Sequence, residues 1–123
     1  MPSPFDALRR EKYIDLVTYR KSGLAVHTPV WFAEHDGRLY VMTRSDSAKI
    51  KRVRNNATVE VAACTMRGRR TGPPMAATAR IGDSLEPGRS LIRRKYWLAR
   101  LPVWSRQNIY LEITPVARDV VLP

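Results

Sequence analysis

Six short runs that alternate apolar and polar residues, set apart by turn signals roughly every ten residues, leave this chain few folds to adopt. They are Tyr13–Arg20, Leu24–Glu34, Arg38–Thr43, Thr58–Cys64, Met75–Ile81 and Asn108–Thr114. A period of two gives each run one apolar face that must be covered. Lys21-Ser22-Gly23 turns the chain after the first run, and His35-Asp36-Gly37 turns it after the second. Asp-Gly between two such runs is a strong hairpin signal, so the first three are expected to form a meander. The spacing as a whole implies an antiparallel barrel or sandwich. Three helical stretches fit around the strands. Ser3–Arg10 carries Asp6 in its first turn, with Phe5 and Leu8 facing inward. Ser47–Arg54 opens on Asp46 or Ser47, turns Ile50 and Val53 inward and ends at Asn55-Asn56. Within Ser84–Leu101, Leu91, Ile92, Tyr96 and Leu98 share a face, and Pro102 stops the helix. Pro29 is out of place in a strand interior. It marks either an edge strand or a ladder interrupted where backbone meets a ligand.

A chain of 123 residues, 44% hydrophobic and 27% charged, is expected to form a single globular domain over 1–123. The single cysteine, Cys64, excludes an internal disulfide framework and a cysteine-rich zinc site, and fits a reducing compartment. The opening Met1-Pro2-Ser3-Pro4-Phe5-Asp6 lacks the apolar stretch of a secretion signal. No run approaches the roughly 18 apolar residues of a membrane span. A soluble cytoplasmic protein with no integral membrane segment is expected. The net charge is +11, and its placement is informative. Residues 44–106 carry 15 basic and four acidic side chains, while the flanking segments nearly balance. A local surplus of this size implies an anionic partner: nucleic acid, an acidic membrane surface or a polyanionic cofactor.

The sequence holds no nucleophile elbow, no Walker loop and no GxGxxG. His27 and His35 do not form a spaced metal pair with acidic residues. His35 lies in a turn, and His27 reads as a surface or interface histidine. Neither a metal nor a catalytic side chain is expected, so an enzyme built on this chain would take its chemistry from a cofactor. The best anion site is the start of the Ser47 helix. Its first N–H groups are unpaired, its dipole end is positive, and Ser47, Lys49 and the nearby Thr43 add a charge and two hydroxyls. The same residues also describe a capped surface helix with a solvated basic face. Aromatic residues do not interleave the basic run Lys49–Arg54, so the stacking platform of a single-strand binder is missing and nucleic acid is not expected.

Taken together, the TPVWF of Thr28–Phe32, the DGRLYVMT of Asp36–Thr43 and the SAKIKRVRNN of Ser47–Asn56 resemble the flavin-binding split-barrel proteins related to pyridoxamine 5′-phosphate oxidase. The closest resemblance is to the actinobacterial branch that uses the deazaflavin coenzyme F420. It extends from about Tyr13 to Thr114 and takes in the basic Met66–Gly72 turn and Arg94-Lys95-Tyr96-Trp97. The resemblance implies a mainly β, six-stranded antiparallel split β-barrel with two or three short helices, homodimeric, with a cofactor site at each dimer interface. Thr28, Pro29, Val30 and Trp31 would line the edge of the tricyclic ring. Thr43, Ser47 and Lys49 match the positions that hold the cofactor phosphate, with Lys51 and Arg52 near enough to assist. Arg67 and Arg69 could reach a cofactor tail, and Tyr96 and Trp97 could wall the substrate side. Thr28 stands where the oxidase itself carries an arginine-first phosphate contact, so oxidation of pyridoxamine phosphate is not expected. The expected activity is hydride transfer between reduced coenzyme F420 and an unidentified small organic substrate. FMN is the alternative cofactor. A non-catalytic cofactor carrier is the alternative role. FMN carries one phosphate, whereas the deazaflavin coenzyme adds a phosphodiester and a polyglutamate tail, which suits the basic surplus of residues 44–106.

Overall fold

The computed structural model describes residues 3–82, 87–96 and 108–116. Among these residues seven strands form one antiparallel sheet: β1 (Tyr13–Tyr19), β2 (Ala25–Val30), β3 (Ala33–His35), β4 (Arg38–Arg44), β5 (Thr58–Cys64), β6 (Met75–Ile81) and β7 (Asn108–Pro115). A 3-10 helix covers Pro4–Leu8, α1 covers Ala48–Asn55 and α2 covers Gly88–Lys95. The order across the sheet is β2-β1-β5-β6-β7-β4-β3.

That order forces the sheet to curl. Laid flat, seven strands are about 29 Å wide at the usual spacing. Yet β2 and β3, at opposite edges, are joined through Trp31 and Phe32 alone. Three residue steps reach roughly 11 Å at most, so the two edges must come round to each other as in a barrel. The expected six strands thus become seven because the second one, Leu24–Glu34, is cut in two. Its first half pairs with β1 and its second with β4. The expected three-stranded meander is corrected accordingly: the β1–β2 and β3–β4 hairpins form as expected, but β2 has no ladder to β4. In that hairpin Asp36 (φ 55°) and Gly37 (φ 79°) form the two-residue loop, both in the left-handed region that such turns require.

Tyr96 holds the cut open. Its hydroxyl accepts the Phe32 N–H at 3.2 Å and turns its proton toward the carbonyls of Lys12 (2.6 Å) and Phe32 (2.9 Å). Backbone groups that leave a ladder must find partners when buried, and a side chain supplies them here. The Tyr96 ring stacks on Trp31 with centroids 4.5 Å apart and planes within 6°.

The barrel interior is filled by the inward faces of the strands, including Ile14, Leu16, Leu39, Val41, Val59, Val61, Leu111 and Ile113. The two ends are plugged by helical elements. Phe5 and Leu8 enter from the 3-10 helix, which Ser3 caps with a reciprocal bond to Asp6. Ile50 and Val53 enter from α1, each contributing about 1.5–3 kcal/mol by burial. β1 departs from simple alternation: Asp15 and Val17 are buried together with Ile14, Leu16 and Thr18. On the outside of β3 and β4, α2 lays Ile92 and Tyr96 against Ala33, Trp31 and Met42. Gly88 permits this approach, because a Cβ there would stand 2.7 Å from the Cβ of Tyr110 and 3.0 Å from the sulfur of Met42. No helix among the described residues is long and apolar enough to cross a membrane.

Candidate functional site

Residues expected to form one site fall into two groups along β2. The first gathers at the start of α1. Ser47 caps the helix in extended backbone (φ −71°, ψ 157°), with its Oγ accepting the Ile50 N–H at 3.4 Å. Thr43, at the end of β4, donates its hydroxyl to the same oxygen at 3.1 Å. Lys49 follows in the first turn, half-buried, with no carboxylate paired to it among the described residues. Burial, then the charge of Arg52, hold its ammonium below the ordinary lysine range. Arg52 donates from Nε to Thr18 Oγ1 at 2.6 Å, and burial followed by repulsion from Arg20 lowers its pKa. Lys49, Arg52 and Arg20 therefore share this corner, and the two depressed groups report burial first and like charge second. Lys51 points away from them and is exposed.

The second group surrounds the far end of β2. Thr28 pairs with Leu16 and Pro29 with Asp15. β2 is an edge strand, so proline's missing N–H breaks no second ladder. Val30 packs on the core, and Trp31 leaves the strand to stack on Tyr96. The exposed turn carrying Arg67 and Arg69 folds toward this end. Gly68, at φ 89°, lies beside Pro29, whose ring is at ordinary contact distance, 3.8 Å, from where a Cβ would stand. Thr18, which anchors Arg52, is paired with Val26. Val26 and Pro29 are three residues apart, or about 10 Å along a strand. The open edge of β2 thus runs between a half-buried basic corner and an exposed basic turn.

Tyr96 is buried and its hydroxyl is taken up by backbone, so any role toward a substrate passes through Trp31. Trp97 lies outside the described residues. Beside Tyr96, Lys95 sets its Nζ 3.5 Å from the centre of the Phe32 ring. Burial pushes that ammonium down to about 8, against an upward pull from Glu11 and Glu34.

Sequence reasoning missed a polar cluster on the outer face of β1, β2 and β5. Asp15 is 2% exposed, and its Oδ2 accepts from His27 Nδ1 at 2.8 Å and from Arg70 Nε at 2.9 Å. Arg70 also pairs with Glu60 at 3.0 Å. Asp15 Oδ1 has no partner among the described residues. The only hint in the sequence was an acidic residue inside an apolar strand. Its partner, Arg70, stands 55 residues away. No group of three or more His, Cys, Asp or Glu side chains able to hold a metal ion occurs among the described residues. A cleft of about 580 Å³ lined by Leu8, Ala63, Pro74, Met75 and Pro115 opens at the barrel end opposite α1, far from the basic corner.

No family model matches the chain, and no curated protein is similar to it in sequence. Solved structures match its shape. A candidate pyridoxamine 5′-phosphate oxidase from Listeria innocua is 14% identical, with a TM-score of 0.71, over 89% of this chain and 88% of that one. An F420 reductase is 15% identical, with a TM-score of 0.65, over 95% and 97%. A pyridoxamine 5′-phosphate oxidase-related, FMN-binding protein from Nostoc punctiforme is 16% identical, with a TM-score of 0.63, over 94% and 82%. At such identities the likeness speaks for the fold. The fold of this chain is the split barrel of the pyridoxamine 5′-phosphate oxidase-like proteins.

Proposed function

We propose that this chain is a homodimeric oxidoreductase that holds a phosphate-bearing deazaflavin, coenzyme F420, along the open edge of β2. The observation that carries this reading is Lys49: half-buried, without a carboxylate partner among the described residues, and crowded by Arg52 at the start of a capped helix. An anion at that corner would relieve the repulsion and meet the free N–H groups of the helix. The residues fit a phosphate chemically, with Ser47 and Thr43 supplying hydroxyls and Lys49 and Arg52 supplying charge. Thr28, Pro29, Val30 and Trp31 would then border the ring. When bound, the cofactor supplies hydride to, or takes it from, a small organic substrate. The chain's part is to fix the ring, shield it from water and orient the substrate.

Arg67 and Arg69 would receive the anionic tail, from the same protomer or across the dimer. This tail favours the deazaflavin, because a single phosphate would leave the exposed basic turn without a partner. The FMN-binding neighbour from Nostoc punctiforme supports FMN as the second reading. Fluorescence titration of the purified protein with each cofactor tests the choice. Micromolar or tighter binding of coenzyme F420 with weaker FMN binding is expected. Binding of FMN alone would reverse the preference, and binding of neither would end the reading.

A further inference from the structure

Asp15 and His27 form a diagonal pair across the β1–β2 ladder, since Asp15 sits opposite Pro29 and His27 opposite Val17. Pro29 has no N–H or side-chain donor to offer the carboxylate. Its two donors come from elsewhere: His27 Nδ1 at 2.8 Å and Arg70 Nε at 2.9 Å. An ionised carboxylate only accepts, so Nδ1 of His27 carries a proton and points inward. The opposite nitrogen, Nε2, is then bare in the neutral ring and faces outward from a side chain that is 57% exposed. Arg70 is fixed in turn by Glu60 at 3.0 Å, which locks the carboxylate that orients the imidazole. His27 stands on the same edge strand as Thr28 and Pro29, one residue before the segment assigned to the ring, and Asp15 stands on the neighbouring β1. A buried, clamped carboxylate with one oxygen still unpartnered is more than a surface ion pair needs.

We propose that His27 is a proton-transfer residue facing the β2 edge, with Asp15 as its positioning residue. The inference rests on the reading of that edge as the cofactor site. Reduction of a polarised double bond needs a hydride and a proton. The reduced deazaflavin or flavin, when bound, would supply the hydride to the electrophilic carbon. The π electron pair moves to the far atom, which takes the proton from Nε2 of the protonated imidazole. The neutral ring, with Nδ1–H still on Asp15, regains a proton from water. In the reverse direction bare Nε2 accepts the proton.

Two measurements on the full-length protein test this. In ¹⁵N-histidine spectra, neutral His27 is expected as the Nδ1–H tautomer. In Asp15→Asn, Arg70 would hold the amide oxygen and leave the NH₂ group facing Nδ1, moving His27 to the Nε2–H tautomer. That exchange reports the Asp15–His27 hydrogen bond, and the labelling that follows reports whether Nε2 faces the cofactor. Diethyl pyrocarbonate labelling, read by mass spectrometry, gives the second measurement. Exposed Nε2 of His27 should react in the free protein and at least tenfold more slowly with saturating coenzyme F420 or FMN. His35, exposed at the end of β3, should react equally in both states. An Nε2–H tautomer in the native chain, or unchanged His27 labelling with cofactor bound, overturns the proposal. Failure of both cofactors to bind overturns the reading beneath it, and the proposal with it.

Discussion

The phenol of Tyr96 bonds both backbone groups of Phe32, accepting the N–H at 3.2 Å and reaching the carbonyl at 2.9 Å. A residue at the end of α2 thereby occupies the place a neighbouring strand would take. It converts one long strand into β2 and β3, at opposite edges of the sheet. The edge of β2 proposed for the cofactor ends two residues before this contact.

Removal of that hydroxyl should therefore do more than delete one bond. In Tyr96→Phe the ring can still stack on Trp31, but the Phe32 N–H and the Lys12 and Phe32 carbonyls lose their partner. Buried unsatisfied groups cost about 1–3 kcal/mol, and a loss in that range is expected in urea unfolding. The Trp31 environment should change as well, read as a shift in tryptophan fluorescence relative to the parent. A loss below about 0.5 kcal/mol would show that water replaces the phenol.

Lys95 and Tyr96 should give opposite slopes to stability against pH. Burial holds the Lys95 ammonium down at about 8 and raises the Tyr96 phenol to about 12. The folded chain thus binds fewer protons than the unfolded chain at Lys95 between about pH 8 and the ordinary lysine value near 10.4. Stability rises with pH across that window. For Tyr96 the folded state holds its proton longer, so its contribution is full below about pH 10 and is lost as pH climbs toward 12. Lys95→Met should remove the rising limb and stabilise the protein near neutrality by on the order of 1 kcal/mol, the partial exposure of the side chain limiting the gain. Thermal melts of the two proteins at pH 7, 9 and 10 give the comparison. Parallel curves would contradict the buried-amine argument.

Gly88 carries α2 against β4 and β7. A methyl group there would press on Tyr110 and Met42, at 2.7 Å and 3.0 Å. Gly88→Ala should destabilise the chain by about 1–3 kcal/mol despite alanine's better helix propensity. An increase in melting temperature would mean that α2 shifts at no cost.

Much of this architecture was legible because the relevant signals are local. Ser47, Ile50 and Val53 announce α1 by capping and spacing, and all three do as expected. β5 and β6 begin and end where their alternation does. The break at Trp31-Phe32 was not legible, because both residues favour strands. What stops the strand is a hydroxyl 64 residues further along. Asp15 was opaque for the same reason: its burial depends on Arg70, which no local pattern connects to it. Lys49 stands between these cases. Its place in the helix could be read from the sequence, but its burial beside Arg52 could not.

Lys49 also gives the sharpest test of the proposed site. In the free protein its ammonium is partly desolvated and repelled by Arg52, so Lys49→Ala should leave stability unchanged or slightly higher. In the complex the same ammonium would form a charge-assisted bond to phosphate. Its loss should weaken cofactor binding by about 1.5–3 kcal/mol, or roughly 10- to 150-fold in Kd. Lys51→Ala, on the exposed face of the same helix, should change Kd less than threefold. The native protein's affinity should also fall with added salt more steeply than that of Lys49→Ala, since the variant has one charge fewer to be screened. Fluorescence titrations at 50 and 300 mM salt measure both effects. Equal affinities for the two variants would place the phosphate elsewhere on the chain.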